Sequence, residues 1–233
     1  MTRPREVDAK VRSIAVVPAA GSAERFGGKK LLTLIDGQPL LDRTIASLLD
    51  GGVGQIIVVV GPDADELKRD VNAFNDPRVW PLENRDPSRG MFSSLQVGMA
   101  EAEGDALVVL PGDMPFVRTA TVAALLQAFG QDPGIVSPRY RGKRGHPVVL
   151  PPQLRDEIRC AAPDTTLHEI LKRPHYLLRA LAVADPGHGR NVASVDAVPR
   201  DESFPRSCRR QTYPHAPLDP RQPSRTHAPA PPP

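Results

Sequence analysis

A segment suited to phosphate chemistry lies near the start of the chain, directly after the apolar run "SIAVV" at residues 13–17. The segment "PAAGSAERFGGKKLL" at residues 18–32 holds three glycines and three cationic side chains, with few residues that could enter a core. A strand that runs into such a loop commonly presents backbone N–H groups to phosphate. Taken alone, the loop is equally compatible with a solvated, glycine-rich turn.

Two well-known phosphate-binding patterns do not fit this loop. A Walker A loop with Lys29 as its lysine requires glycine at position 23 and a hydroxyl at position 30, where the chain has Ala23 and Lys30. The dinucleotide fingerprint also fails, because Gly21 is followed by Ser22 and Ala23. The loop therefore requires a different explanation.

A second candidate for chemistry follows the very apolar run "ALVVL" at residues 106–110. Asp113 stands between Gly112 and Met114, where its carboxylate is well placed to hold Mg²⁺ against phosphate oxygens. The alternative is an aspartate that turns the chain before a helix. Both interpretations place Asp113 at the end of a strand.

Short runs rich in Val and Ile alternate with segments of helical period, which predicts a three-layer, Rossmann-like α/β fold. Its sheet is expected to be mostly parallel, with helices on both faces. Strands are predicted at 13–18, 55–61, 105–113, 134–139, 146–151 and within 176–185, and helices at 39–51, 63–74, 93–103, 119–130 and 165–173. Ligands of open α/β sheets bind beyond the carboxyl ends of the strands, which places the loops at 19–30 and 111–115 on one rim.

The net charge of +3 is concentrated at the end of the chain. Residues 200–233 carry six Arg against three acidic residues, whereas residues 1–199 carry 24 basic and 24 acidic residues. Nine prolines in those last 34 residues predict a disordered tail. We therefore predict an N-terminal extension at 1–12, a domain at 13–199 and a tail at 200–233, and the overall basicity does not indicate a nucleic-acid partner.

Other features of the composition limit the location and the cofactors. No apolar run approaches the length of a membrane span, so we expect a cytoplasmic protein without a membrane partner. Cys160 and Cys208 lie far apart and lack metal-ligand spacing, which argues against a disulfide framework and against a zinc site.

Four motifs in order resemble one family. The segment "AAGSAERFGGKK" at 19–30 fits the signature A-A-G-x-x-x-R-[FM]-G-x-x-K, and "GMFSSLQVGM" (90–99), "LPGDMPFV" (110–117) and "GKRGHPVVL" (142–150) follow. Together they resemble the MobA-like nucleotidyltransferases, and most of all the molybdenum-cofactor cytidylyltransferases, over roughly residues 13–198. Four ordered motifs are far more specific than a single glycine pattern.

The resemblance implies roles for the residues that match these motifs. Expected nucleotide-binding residues are Ala19, Ala20, Gly21, Arg25, Lys30, Gly90 and Ser94. Expected catalytic residues are Arg25, Lys30 and Asp113, expected metal ligands are Asp113 and Asn191, and His146 is expected on the acceptor side. The alternatives are an N-cap role for Ser94 and a purely structural, hydrogen-bonded role for His146.

The resemblance also implies an activity: Mg²⁺-dependent transfer of CMP from CTP to a phosphorylated acceptor such as molybdopterin, with release of pyrophosphate. Mn²⁺ is an alternative metal, and a molybdoenzyme or its chaperone is the partner implied for the product. One departure from the family is Ala193, which stands where relatives carry a metal-binding acidic residue or Asn, leaving Asn191 and Asp196 as substitutes. A GTP-using or sugar-phosphate-using transferase, or a non-catalytic binder of nucleotide or cofactor, are the other possibilities.

Overall fold

The computed structural model describes residues 11–21, 30–62 and 64–192. Several sequence predictions lie outside this part of the chain. They concern Arg25, Ala193, Asp196, most of the N-terminal extension and the tail at 200–233.

Strands that read as continuous apolar runs form the centre of the molecule. The strands are β1 (Ser13–Pro18), β2 (Leu34–Ile35), β3 (Gln38–Pro39), β4 (Gln55–Val60), β5 (Val79–Glu83), β6 (Ala106–Val109), β7 (Ile135–Tyr140), β8 (Lys143–Arg144), β9 (Val148–Leu150) and β10 (Leu178–Ala182). Eight of them form one sheet in the order β10-β7-β9-β6-β1-β4-β5, with β8 paired to β7, while β2 and β3 form a separate hairpin. Only β8 and β9 run antiparallel to their neighbours in this sheet.

Helices cover both faces of the sheet. The helices are α1 (Leu40–Asp50), α2 (Asp65–Asp70), α3 (Met91–Glu101), α4 (Thr119–Gln131), α5 (Leu154–Cys160) and α6 (Leu167–Leu171). No helix among the described residues is long and apolar enough to cross a membrane.

The alternation of side chains along β1 shows why two helical layers are needed. Ala15 and Val17 belong to a core cluster with residues of α1 and α4, whereas Ile14 and Val16 belong to a second cluster with residues of α3 and α5. Successive residues of a strand point to opposite faces, so a strand that is apolar throughout requires cover on both sides. The predicted three-layer α/β class is confirmed.

Gly98 brings α3 unusually close to the sheet. A Cβ atom at this position would lie 2.3 Å from the Cγ1 atom of Val16 and 3.0 Å from the Cγ2 atom of Val59. Glycine is therefore required by the close approach of the helix to β1 and β4. This packing holds the first turn of α3 beside the carboxyl ends of those strands.

The predicted helix at 63–74 is shorter in the structure. α2 ends at Asp70, and a 3₁₀ turn follows at Asn72–Asn75. The N–H groups of Asn72 and Ala73 donate to the carboxylate of Asp42 in α1, at 3.1 and 2.8 Å, instead of continuing the helical ladder. A side chain distant in sequence thus ends the helix, which a local pattern does not reveal.

Sequence reasoning also missed α5 and β5. The sequence of β5, "VWPLE", mixes polar and apolar residues and contains Pro81, which is tolerated because β5 is an edge strand. It extends the sheet by one strand beyond β4. Its end carries part of the candidate site.

Candidate active site

The candidate site lies where the connections of the sheet change direction. β1 is flanked by β4 on one side and by β6 on the other, so the chain leaves the carboxyl ends of β1 and β6 in different directions. Such a switch point forms a crevice in which α/β proteins bind ligands. The loops that follow β1 and β6 are the two that the sequence placed on one rim.

Backbone hydrogen bonds hold these two loops in place. The Ala19 N–H donates to the carbonyl oxygen of Val59 (2.7 Å), and the Gly112 N–H donates to that of Pro18 (2.9 Å). Thr44, a buried residue of α1, donates its hydroxyl to the carbonyl oxygen of Gly112 at 3.0 Å. Sequence reasoning missed Thr44, because a threonine inside a helix gives no local sign of a contact 68 residues away.

The structure brings Lys30 and Asp113 together across this crevice. The Nζ atom of Lys30 lies 2.6 Å from Oδ2 of Asp113, and the two side chains are only 18% and 24% exposed. Lys30 begins a 3₁₀ turn at Lys30–Leu32. A charge-assisted hydrogen bond of this length joins the last residue of the first motif to the aspartate of the third.

A backbone hydrogen bond brings the segment that carries Asn191 next to Asp113. The N–H of its neighbour Val192 donates to the carbonyl oxygen of Asp113 at 3.0 Å, and Asn191 itself is exposed. A carboxylate and an amide oxygen are donors that Mg²⁺ and Mn²⁺ accept, and Mg²⁺ commonly needs few protein ligands because substrate phosphates supply others. Among residues 11–21, 30–62 and 64–192, no group of three or more His, Cys, Asp or Glu side chains could hold a metal.

His146 lies on the far side of Asp113 from β1. The pairing of Val148 with Val109 places the start of β9 on the same rim as the end of β6. Burial holds the pKa of His146 below its ordinary value, while the Asp113 carboxylate opposes this effect and His188 adds to it. Its imidazole is therefore mainly neutral at pH 7.

The turn at Pro186–Gly189 holds the backbone of His146 in place. The His146 N–H donates to the carbonyl oxygen of His188 at 2.8 Å. The buried ring of His188 has its Nδ1 atom 2.8 Å from the carbonyl oxygen of Asp185 and its Nε2 atom 3.0 Å from that of Lys143. Sequence reasoning did not assign a role to Asp185 or to His188, since this part of the chain matches the motifs poorly.

Asp185 also fixes the helix that follows the Asp113 loop. One carboxylate oxygen accepts from the Arg118 N–H (2.9 Å) and from the Thr121 hydroxyl (2.6 Å), and the other accepts from the Gly187 N–H (2.8 Å). Asp185 therefore satisfies donors at the start of α4 although it is remote in sequence. Its full burial makes it a structural rather than a substrate-binding carboxylate.

On the β4 and β5 side of the rim, buried polar side chains surround the start of α3. Asn84 follows β5, and its Nδ2 atom donates to the hydroxyls of Ser93 (2.9 Å) and Ser94 (3.0 Å). Its Oδ1 atom accepts from the Asp86 N–H at 3.1 Å. Asn84 is the main polar residue of the rim that the sequence did not single out, because an asparagine in "ENRDPSRG" resembles an ordinary turn residue.

The alternative N-cap role for Ser94 is wrong. α3 begins at Met91 with Gly90 as its N-cap, and no side chain caps it. Gly90 has φ 88°, a left-handed value that favours glycine at this sharp entry to the helix. Ser94 lies one turn further on, buried against Asn84.

The rim therefore has three parts, which follow one another along the edge of the sheet. Asn84, Gly90 and Ser94 lie at the β4 and β5 end, the loop at 19–21 and the pair Lys30 and Asp113 lie at the centre, and His146 lies at the β9 end. This arrangement on a doubly covered, mostly parallel sheet defines a nucleotide-binding α/β protein of the nucleotide-diphospho-sugar transferase fold.

Comparison with known proteins identifies the family. A model described as "MobA-like NTP transferase domain" matches residues 15–180, which is more than half of the chain. The chain belongs to the MobA-like NTP transferase family.

Three relatives show how far the similarity extends. The bifunctional protein GlmU of Bordetella parapertussis is 33% identical over 129 residues, which cover 52% of this chain and only 28% of GlmU. The nicotine blue oxidoreductase of Paenarthrobacter nicotinovorans is 28% identical over 197 residues, which cover 79% of this chain and 94% of the relative. The crystal structure of Rv0371c from Mycobacterium tuberculosis H37Rv is 26% identical, with a TM-score of 0.68 over 81% of this chain and 96% of that one. A complex of Rv0371c with manganese superimposes with a TM-score of 0.61 at 24% identity, over 74% of this chain and 88% of that one.

Proposed function

We propose that this protein is a cytoplasmic, Mg²⁺-dependent nucleotidyltransferase that transfers CMP from CTP to a phosphorylated acceptor such as molybdopterin and releases pyrophosphate. The observation that carries the proposal is the contact of Lys30 with Asp113 at the switch point of the sheet. A cation for phosphate and a carboxylate for a metal meet there, between a polar nucleotide side and an acceptor side. The family of the chain supports the reaction class.

In the proposed reaction, an oxygen of the acceptor phosphate attacks the α-phosphorus of CTP. The new P–O bond joins CMP to the acceptor, and the bond from the α-phosphorus to the bridging oxygen breaks, so that pyrophosphate leaves. All the reacting groups are anionic, and the protein therefore contributes mainly position and neutralising charge.

Each part of the rim has a role in this scheme. The backbone of Ala19, Ala20 and Gly21 would approach the triphosphate, which Lys30 and Arg25 would neutralise. Gly21 suits this task because no other described heavy atom lies within 4 Å of the Cβ that a larger residue would carry there. The loop is thus open where phosphate must approach.

Asp113 and Asn191 would hold the divalent cation, with substrate phosphates as further ligands. When bound, Mg²⁺ or Mn²⁺ would offset negative charge on the phosphates during transfer. The manganese complex of Rv0371c supports a divalent cation in this family, and its choice of metal is a property of that protein. Lys30 would leave Asp113 for the phosphates, since its long side chain can reach either partner.

The base and ribose of CTP would lie against Gly90 and Ser94. Asn84 would act as a positioning residue there, because its amide fixes the Ser94 hydroxyl through a hydrogen bond of 3.0 Å. At the other end of the rim, a neutral His146 would lie next to the acceptor phosphate without adding a fixed positive charge.

A second candidate is an oxidoreductase or a non-catalytic binder of nucleotide or cofactor. It is favoured by one specific observation: a relative that covers 79% of this chain, and whose own length is 94% covered, is named for an oxidoreductase activity. Ala193 at the expected second metal position points the same way. A GTP-using or sugar-phosphate-using transferase would instead keep the chemistry and change the substrates.

Two measurements on the full chain test the proposal. The first is thermal unfolding with CTP, GTP, ATP or UTP in the presence of Mg²⁺ or Mn²⁺, where a preferred nucleotide at large excess over its Kd stabilises by a few kcal/mol. The second is pyrophosphate release with CTP and molybdopterin, with Asp113→Asn as the matched inactive control. Pyrophosphate release that requires Asp113 would support transfer, whereas nucleotide binding without release would favour the second candidate.

A further inference from the structure

A basic hairpin stands beside the candidate site and has no role in the scheme above. It comprises residues 139–144, "RYRGKR", at the end of β7, the following turn and β8. Its four cationic residues are all exposed: Arg139, Arg141, Lys143 and Arg144. No Asp or Glu occurs anywhere from residue 133 to residue 155. Because residues 1–199 carry equal numbers of acidic and basic residues, this local excess of positive charge is a distinct feature.

The pairing within the basic hairpin places like charges opposite each other. Arg139 pairs with Arg144, and Tyr140 pairs with Lys143. Directly opposed like charges destabilise a pair of strands. Within the described ranges, none of the four cations has a carboxylate within 4 Å in an ion pair. An anionic ligand bound by the opposed side chains of Arg139 and Arg144 would offset this repulsion.

The basic hairpin has a defined conformation. Arg141 and Gly142 form a two-residue turn with φ values of 48° and 81°, as the tight turns that match the twist of β-hairpins require. The guanidinium of Arg141 lies 5.2 Å from the centre of the Tyr140 ring. The Nε2 atom of His188 lies 3.0 Å from the carbonyl oxygen of Lys143 and so ties β8 to the turn that also supports His146. These contacts fix the backbone of the basic hairpin and the guanidinium of Arg141 before any ligand binds.

The position of the basic hairpin on the rim identifies what it would meet. β7 lies beyond β9 in the sheet order, on the opposite side of β6 from β1, β4 and β5. The carboxyl end of β7, where the hairpin begins, shares the rim with Asp113, because β6 and β7 both run antiparallel to β9. The hairpin therefore lies past His146, away from Asn84 and Ser94. A nucleotide bound at the β4 and β5 end would leave this end to the other substrate.

We propose that the basic hairpin is the binding site for the phosphate of the acceptor. Arg139 and Arg144 provide two adjacent guanidinium groups, which bind phosphate through paired hydrogen bonds. Lys143 and Arg141 add positive charge at the tip. The inference rests on the proposed function, in that it assigns the second substrate of the same site.

The experiment uses the full chain saturated with a CTP analogue that has a methylene group between the α- and β-phosphorus, which prevents turnover. Inorganic phosphate is then titrated as a mimic of the acceptor phosphate, and its binding is measured by calorimetry. The test variant is Arg139→Gln/Arg144→Gln. The matched control is Arg12→Gln/Arg159→Gln, which removes the same charge from exposed positions elsewhere on the domain.

We expect the hairpin variant to bind phosphate at least about tenfold more weakly, as the loss of charge-assisted hydrogen bonds implies. Its Kd for the CTP analogue should stay within about twofold of the wild-type value, and the control should resemble the wild type in both measurements. Because the change relieves repulsion between opposed cations, the hairpin variant should melt at the same temperature as the wild type or higher in low salt.

Two results would overturn the inference: equal loss of phosphate binding in both double variants, or no loss in the hairpin variant. If the hairpin variant binds phosphate normally but no longer binds a 20-nucleotide single-stranded DNA that the wild type binds, the second result would indicate a nucleic-acid surface. Failure of the proposed function is distinguishable, because in that case the wild type itself would release no pyrophosphate from CTP and molybdopterin, whatever the hairpin variant does with inorganic phosphate.

Discussion

The contact between Lys30 and Asp113 makes an unusual prediction about Lys30→Ala: metal binding should become tighter while turnover becomes slower. In the nucleotide-free protein, the Lys30 ammonium lies 2.6 Å from the carboxylate oxygen that we assign to the metal. A metal that binds this oxygen of Asp113 therefore competes with Lys30 for it. Removing the lysine removes this competition and also removes a charge that we assign to the transition state.

The size of the first effect follows from the burial of the pair. Charge-assisted hydrogen bonds contribute about 1.5–3 kcal/mol, and exposed ion pairs contribute about 0–1 kcal/mol. With side chains 18% and 24% exposed, the Lys30 and Asp113 pair lies between these cases, at about 1.5 kcal/mol. That free energy corresponds to roughly a tenfold lower Kd for Mn²⁺ in Lys30→Ala.

The size of the second effect follows from the role of a preorganised donor. Loss of one such donor lowers kcat by about a hundredfold or more, and a group that acts only in substrate binding would raise KM instead. We therefore expect Lys30→Ala to lower kcat by roughly a hundredfold.

Mn²⁺ binding is measured by electron paramagnetic resonance without nucleotide, and kcat is measured at saturating CTP with excess metal. Lys30→Gln removes the charge at nearly constant side-chain length. Lys172→Ala, which removes an exposed lysine at the end of α6, is the control. Weaker or unchanged Mn²⁺ binding in Lys30→Ala would refute the competition. An unchanged kcat would reduce Lys30 to a residue that only binds the ground state.

Three further predictions address the nucleotide side, the packing of α3 and the acceptor side. Asn84→Ala should raise the KM for CTP about tenfold with less effect on kcat, because it leaves the buried Ser94 hydroxyl without the amide that donates to it at 3.0 Å. A fall in kcat with an unchanged KM would contradict this role. Gly98→Ala should lower the free energy of unfolding in urea by about 1–3 kcal/mol, since the new Cβ would meet a β1 methyl group at 2.3 Å. The control is Gly130→Ala, whose Cβ would meet its nearest neighbour at 3.7 Å; this change should stabilise α4 by up to about 1 kcal/mol. The pKa of His146 is lowered by burial, so the native state favours the neutral ring, and its contribution to stability is present above the ordinary value near 6.5 and is lost as the pH falls below it. Wild-type protein should therefore lose more stability between pH 7.5 and 5.5 than His146→Gln, and equal losses would show that the ring is not desolvated.

The sequence predicted the centre of the fold well, for a physical reason. β1, β4 and β6 are buried on both faces, and such strands read as unbroken apolar runs that stand out in any chain. The start of α1 after Pro39 and its end at Gly51 were predicted from cap signals, and the structure confirms both. The edge strand β5 gave no such signal, because only part of its surface is buried.

The contacts that build the site were beyond the reach of the sequence. Lys30 and Asp113 were singled out separately, but their contact spans 83 residues and depends on the sheet order that places β6 beside β1. Asn84 and Asp185 were missed because turn residues and buried caps share the same residue types. Only tertiary structure distinguishes an aspartate that accepts three hydrogen bonds in the core from one that faces solvent.

The distribution of charge along the rim gives the proposed reaction a direction. At the β4 and β5 end the buried polar residues are neutral: the amide of Asn84 and the hydroxyls of Ser93 and Ser94 suit a base and a ribose rather than a phosphate. At the centre, one cation and one carboxylate neutralise each other until a triphosphate and a metal arrive. At the far end, the basic hairpin carries positive charge that no described carboxylate pairs with. A nucleotide entering first would find its base site and would separate Lys30 from Asp113, and the acceptor would then be drawn by the hairpin toward the phosphorus it attacks. Ordered binding, with CTP before acceptor, is therefore the kinetic sequence that this arrangement of charges favours.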